Sequence, residues 1–182
     1  MEQASVKKTE SAPEPVDPPL SRFGVRQAFD LIDLLSSFGV ARAFASSAAR
    51  SRQSLTPWAS MGGGSVTLVE SLDLAASGPD AQVDAEARLG RVRAFAAERL
   101  REHAAPTVLS VTGCARDAII EEIRAYASGP VAGAEAPRLT RGQVLVAHVE
   151  HGPDGLVVAA LETHGVTTKN PAAHTRRGNK RH

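Results

Sequence analysis

The chain has 182 residues, one cysteine and a formal net charge of +1. That length can bury a hydrophobic core without disulfides or metal ions, and a single cysteine cannot form an internal disulfide. No apolar run reaches the roughly 18 residues of a membrane span, and Met1 is followed by Pro- and Glu-rich polar sequence instead of a secretory signal. We therefore expect a cytoplasmic protein that does not span a membrane.

Residues 1–20 are predicted to be a disordered leader. They contain four prolines among Glu, Ser and Lys residues. Such a composition buries too little apolar surface to offset the entropy that is lost when a chain becomes ordered. We interpret the leader as a linker.

Residues 21–52 are predicted to form an amphipathic helical segment. Ser21 is a suitable N-cap, and apolar residues recur behind it at helical spacing with a polar stripe opposite them. The polar stripe is lost beyond Gly39, so we expect a break at 37–39 and a second, Ala-rich helix that ends near Ser51.

The same segment holds four of the chain's five phenylalanines. Large aromatic side chains dominate the energetics of both cores and interfaces. The segment therefore either covers the domain's own sheet or docks on a partner or a second copy of the chain, and a membrane-surface role is a third alternative. The predicted partner-binding residues are Phe29, Ile32, Leu35, Phe38 and Phe44.

Residues 53–64 contain Pro57 and three consecutive glycines, which is typical of a Gly-rich hinge. The glycines lack the spacing, the Lys and the Ser or Thr of phosphate-binding loops. The next residues, 65–74, fit both a strand and a helix, and we favour a strand.

Residues 65–165 are predicted to form an α+β domain. Periodicity and turn residues indicate a helix over 80–104, a strand over 107–111, a helix over 115–127, a loop over 129–142 and a β-hairpin over 143–163. The hairpin is the firmest prediction, because two β-branched apolar runs flank a Gly/Pro/Asp loop of five residues. The predicted fold is a small mixed sheet that ends in this antiparallel hairpin, is packed by two helices and is preceded by the apolar helical segment.

Cys114 is the single catalytic candidate, and a weak one. It lies where a strand passes into a helix, and a helix N-terminus stabilises a thiolate. A nucleophile also needs a base, and the histidines that could serve, His103, His148 and His151, lie on other elements. Because no motif surrounds Cys114, a buried cysteine that acts as a small apolar side chain is the commoner alternative.

The histidines of the hairpin invite the hypothesis of a metal site. Pairing Glu150 with Leu156 places His148 and His164 at opposite ends of the ribbon, about 20 Å apart at a rise of ~3.3 Å per residue. Residues so far apart cannot share an ion. We therefore predict neither a metal site nor a cofactor.

Residues 166–182 form a basic tail that has five Lys or Arg residues and no acid. Such a tail either keeps the protein soluble or neutralises phosphates with an affinity that falls steeply with salt. The residues predicted to contact nucleic acid are Lys169, Arg176, Arg177, Lys180 and Arg181.

These patterns favour a non-enzymatic interaction or assembly protein that docks a partner or a second subunit through residues 21–51. One alternative is a nucleic-acid-associated protein that is tethered by its basic tail. The other is a cysteine-dependent enzyme that uses Cys114.

Overall fold

The computed structural model describes residues 17–62, 64–73, 83–102, 105–127, 139–153 and 155–165. Most of the predicted leader and the whole of the predicted basic tail lie outside these ranges.

The described residues form four helices, five strands and one 3-10 turn. In chain order they are α1 (Arg22–Ser37), β1 (Arg42–Ala45), α2 (Ala49–Gly62), β2 (Val66–Leu68), the 3-10 turn (Glu70–Leu72), α3 (Val83–Arg101), β3 (Thr107–Ser110), α4 (Gly113–Ala125), β4 (Gln143–Gly152) and β5 (Gly155–Gly165). Strands β2, β1 and β3 form a parallel sheet in that order, and β4 pairs with β5 in an antiparallel hairpin. The predicted α+β class is confirmed.

Helix α1 begins and packs as the sequence pattern predicts. The Ser21 hydroxyl accepts a hydrogen bond from the Gly24 N–H group at 3.1 Å and so caps the helix. The buried residues Ala28, Leu31 and Leu35 share one face of the helix. This face covers the protein's own sheet, because Leu31 and Leu35 belong to one buried cluster with Ala43 and Ala45 of β1.

The Ala-rich second helix predicted up to Ser51 is wrong, because residues 42–45 form the central strand β1. Ala43 and Ala45 are buried on one face, and Phe44 points to the other. Backbone pairing with two neighbouring strands overrides the helix preference of alanine here. The predicted hinge is also wrong over 53–62, which belong to α2 with Pro57 inside the helix.

The parallel sheet lies between two pairs of helices. Residues Leu55 and Trp58 of α2 join α1 on the face that carries Ala43 and Ala45. Helices α3 and α4 pack on the opposite face, to which Phe44 belongs. The sequence predicted two covering helices, whereas the described residues provide four. The ambiguous stretch 65–74 contains the predicted strand as β2, which the 3-10 turn follows.

The hairpin is confirmed, but its register differs from the predicted one. Glu150 pairs with Val157, and a β-bulge interrupts the ladder between His148 and Val149. The strands stay paired up to Gly152 and Gly155, so the loop is shorter than the predicted five residues. The shift at Glu150 comes from this shorter loop, because Glu150 lies between the bulge and the turn. The bulge adds one extra residue beyond His148 and shifts the register once more.

The hairpin packs against the rest of the protein through both its faces. Val158 and Leu161 are buried in a cluster with Ile123 of α4 and with Tyr126, which directly follows the helix. On the outer face, the ring of Phe38 at the end of α1 lies 5.2 Å from the His164 ring, centroid to centroid. None of the described helices is long and apolar enough to cross a membrane.

Candidate functional site

The carboxyl edge of the parallel sheet brings two strand-to-helix connections side by side. Strand β1 continues through Ser46 and Ser47 into α2, and its neighbour β3 continues through Val111 and Thr112 into α4. The Ser46 N–H group donates to the Ser110 carbonyl at 3.1 Å, which keeps the two exits adjacent. Open α/β sheets bind their ligands at this edge.

The N-terminus of α2 holds two carboxylates of the protein itself. The Ala49 N–H group lies 2.9 and 3.0 Å from the two carboxylate oxygens of Asp17. The Ser47 N–H group donates to Asp73 Oδ1 at 2.6 Å. Unpaired N–H groups and the helix dipole favour negative charge at this position, and here that charge comes from segments distant in the sequence.

Two buried hydroxyls fix the end of β1 to α2. The hydroxyl oxygens of Ser46 and Ser51 lie 2.8 Å apart, and both residues are buried. Because each hydroxyl already has a partner, this pair positions the strand-to-helix connection. A ligand at this edge would therefore meet the polar groups of exposed neighbouring residues and not these two buried hydroxyls.

The N-terminus of α4 forms the other half of the edge. Thr112 is extended and makes no side-chain cap, and Gly113 has a φ of +54°. Cys114 follows in the first turn of the helix and is exposed, so it does not act as a buried apolar side chain. Its placement at a strand-to-helix junction agrees with the sequence, and its catalytic role stays a prediction.

The histidines predicted as bases for Cys114 make their hydrogen bonds elsewhere. His148 bonds Glu162, and the Nε2 atom of His151 lies 2.8 Å from the Leu100 carbonyl oxygen. His103 lies outside the described residues.

His148 and His164 meet on the outer face of the hairpin, and the prediction that they lie about 20 Å apart is wrong. Their Nε2 atoms lie 2.7 and 3.1 Å from the two carboxylate oxygens of Glu162. The hydrogen bond from His148 is the main reason that the pKa of Glu162 is below its ordinary value. Within the described ranges, no group of three acidic, His or Cys residues has the arrangement of a metal site.

The predicted partner-binding residues do not share a surface. Leu35 is only 3% exposed, and Phe44 lies on the central strand with its ring 5.4 Å from that of Phe95. Ile32 and Phe38 are half-buried, and Phe29 alone of the five is exposed, at 56%. The five predicted nucleic-acid contacts in the tail lie outside the described residues.

The fold is similar to those of solved hydrolases. Mycobacterial hydrolase 2 superimposes with a TM-score of 0.57 at 17% identity, over 87% of this chain and 84% of that one. Mycobacterial hydrolase 1 gives 0.55 at 18% identity, over 85% of this chain and 89% of that one. A mycobacterial glucosyl-3-phosphoglycerate phosphatase in complex with inorganic phosphate gives 0.48 at 20% identity, over 66% and 75%. No family model and no curated protein sequence matches the chain.

These likenesses concern the fold, and they correct the functional interpretation of the sequence. The docking hypothesis is wrong, because the chain has the fold of hydrolases and its helix α1 belongs to the core. The same comparison corrects the nucleic-acid hypothesis. The sequence patterns did not single out Asp17, Ser47 or Asp73, which lie at the carboxyl edge of the sheet. The one local hint of this edge was the pair Ser46 and Ser47 directly after the short alternating run that forms β1.

Proposed function

We propose that the chain is a hydrolytic enzyme whose substrate carries a phosphate or carboxylate group, bound at the carboxyl edge of the β2-β1-β3 sheet. The observation that carries this proposal is the pair of carboxylates, Asp17 and Asp73, on the N–H groups of Ala49 and Ser47. A surface that holds two carboxylates of its own chain has the donors and the dipole to hold an anionic substrate.

The chemical roles follow from these contacts. Once Asp17 has left, the Ala49 N–H group, which the fold fixes in place, is free to stabilise the negative charge that develops in hydrolysis. Asp73 sits beside this group at the end of the 3-10 turn, where its carboxylate would take a proton from the attacking water. Asp17 occupies the position of the substrate's anionic group and would leave when the substrate binds.

The short segment that carries Asp17 is bonded to α2 by a hydrogen bond with which water can compete, which makes such an exchange feasible. The Leu20 N–H group donates to Gln53 Oε1 at 2.7 Å, and this bond is exposed to solvent. Exposed hydrogen bonds of this kind contribute only about 1 kcal/mol each. The fold that the chain shares with mycobacterial hydrolases 1 and 2 supports the reaction class.

The test is the release of nitrophenol from p-nitrophenyl phosphate and from mono-p-nitrophenyl succinate, an ester that carries a free carboxylate. Asp73→Asn should lower kcat by about 100-fold or more while the protein still melts like the wild type, because the amide oxygen can still accept from the Ser47 N–H group. Asp33→Asn, an exposed change on α1, is the matched control and should leave kcat unchanged. A wild-type protein that cleaves neither ester faster than buffer does would overturn the proposal.

We also propose a cytoplasmic location. An exposed free thiol such as that of Cys114 persists in a reducing compartment, whereas oxidising compartments favour disulfides. Fractionation of the source cells checks this, and recovery of the protein from an extracellular or periplasmic fraction would contradict it.

A further inference from the structure

Strands β3 and β4 each have an edge that no other described strand pairs. Strand β3 is the last in the order β2-β1-β3, and β4 pairs with β5 alone. The Pro106 carbonyl accepts a hydrogen bond from Arg42 of β1, and the Ser110 carbonyl accepts one from Ser46, the residue after β1. Because backbone groups alternate in direction along a strand, the N–H and C=O groups of Thr107 and Leu109 point away from β1. They face the open edge.

The same helices cover both open edges. On one face of the sheet, Val108 of β3 and Val144 of β4 pack against the cluster that contains Leu31 and Leu35 of α1. On the other face, Ile123 of α4 packs against both remaining clusters. One of these clusters includes Leu109 and the other includes Leu145. The two sheets are therefore flanked by shared helices, although no backbone ladder joins them in the described chain.

Burial along the strands shows which edges lack a neighbour. In β1 every second residue is fully buried, whereas all four residues of β3 and the first five of β4 are only partly buried. Strands of parallel sheets that have helices on both faces are normally buried. The partly exposed apolar residues of β3 and β4 thus line an incomplete part of the sheet.

We propose that an extended segment of a second polypeptide inserts between β3 and β4 and joins the two sheets into one. Its backbone would pair with the outward-facing groups of Thr107 and Leu109, to which no described strand is bonded; this is the β-strand addition known from peptide recognition. Its side chains would meet apolar helices on both faces, so a proline-free run of about four β-branched or large apolar residues fits, to match the four residues of β3.

The sequence of this chain favours an external donor. None of its segments outside the described ranges contains four consecutive β-branched or large apolar residues. The leader has Lys7 and Lys8 together with Pro13 and Pro15, and a proline lacks the N–H group that a central strand needs. Burying the two lysines between apolar helices without a partner would strongly destabilise the fold. The tail from residue 166 onward has five Lys or Arg residues and Pro171, and it meets the same objections.

Amide hydrogen exchange on the full chain tests the proposal. The probe is an acetylated, amidated hexapeptide, Lys-Val-Ile-Val-Val-Lys, and the control peptide has proline in place of isoleucine. The first peptide should slow exchange of the Leu109 amide at least tenfold, and the proline peptide should not. The Val108 amide faces β1 in the paired ladder and serves as an internal reference that is protected in every sample. Thr107→Pro removes an outward-facing N–H group at the open edge and should weaken binding of the first peptide.

Four results would overturn the proposal. Equal effects of the two peptides, or no protection of Leu109, would show that no strand is accepted. Protection of Leu109 in dilute protein without peptide would show that the chain fills the position itself. Protection that rises with protein concentration, together with a dimeric native mass, would assign the position to a second copy of this chain.

Discussion

The His148 imidazole bonds Glu162 diagonally across the hairpin, with 2.7 Å between His148 Nε2 and Glu162 Oε1. In the register Glu162 pairs with Val146, two residues before His148, so the contact runs between neighbouring pairs on one face. His164, two residues after Glu162 on the same strand, contacts the second carboxylate oxygen. The two imidazoles favour the ionised carboxylate, which lowers the pKa of Glu162.

This lowered pKa predicts an acid-dependent loss of stability. A carboxyl group whose folded-state pKa is below its unfolded value contributes stability above the unfolded value of about 4.3 and loses it as the pH falls through the folded pKa. The free energy of unfolding should therefore fall more steeply below about pH 5 in the wild type than in Glu162→Gln. Urea unfolding at a series of pH values measures it.

Glu150→Gln is the matched control for that series. Glu150 is exposed on β4, where it pairs with Val157. Its replacement should leave the acid limb of the stability curve as in the wild type. Identical curves for wild type and Glu162→Gln would contradict the role given to the His148 contact.

The buried hydroxyls of Ser46 and Ser51 should be coupled energetically. Ser51→Ala leaves the Ser46 hydroxyl without its partner at 2.8 Å, and an unsatisfied buried hydroxyl costs about 1–3 kcal/mol. The double change Ser46→Ala with Ser51→Ala removes both groups, so it should destabilise less than the sum of the two single changes. A double-mutant cycle from urea unfolding measures this coupling, and strict additivity would contradict it.

Replacing Gly113 at the start of α4 should destabilise the protein because of its backbone conformation, and not because a larger side chain would clash. Its φ is +54°, and an added Cβ would meet no atom within 4 Å. Gly113→Ala should therefore cost about 1–2 kcal/mol, the penalty of the left-handed region. The control is Gly90→Ala in the middle of α3, also without a contact within 4 Å, which should stabilise by up to about 1 kcal/mol. Equal melting temperatures for the two variants would contradict this assignment.

Local patterns in the sequence predict most of the helices and strands, but they do not predict the contacts at the carboxyl edge of the parallel sheet. Helix α1 and the hairpin follow from periodicity and turn residues. Strand β1 does not, because a run of four residues with two alanines carries little preference, and its two parallel neighbours determine its state. The contacts of Asp17 with Ala49 and of Asp73 with Ser47 span 32 and 26 residues, and no local pattern encodes contacts of that range.

Helix α1 provides the test of the corrected interpretation, because two of its apolar residues should respond in opposite ways. Leu35 is 3% exposed within the cluster that α1 forms with β1, so Leu35→Ala should cost about 2–5 kcal/mol through lost contacts and the cavity left behind. Phe29 is 56% exposed, and Phe29→Ser should change the free energy of unfolding by no more than about 0.5 kcal/mol. Urea unfolding distinguishes the two. A Leu35→Ala variant as stable as the wild type would contradict the placement of α1 in the core.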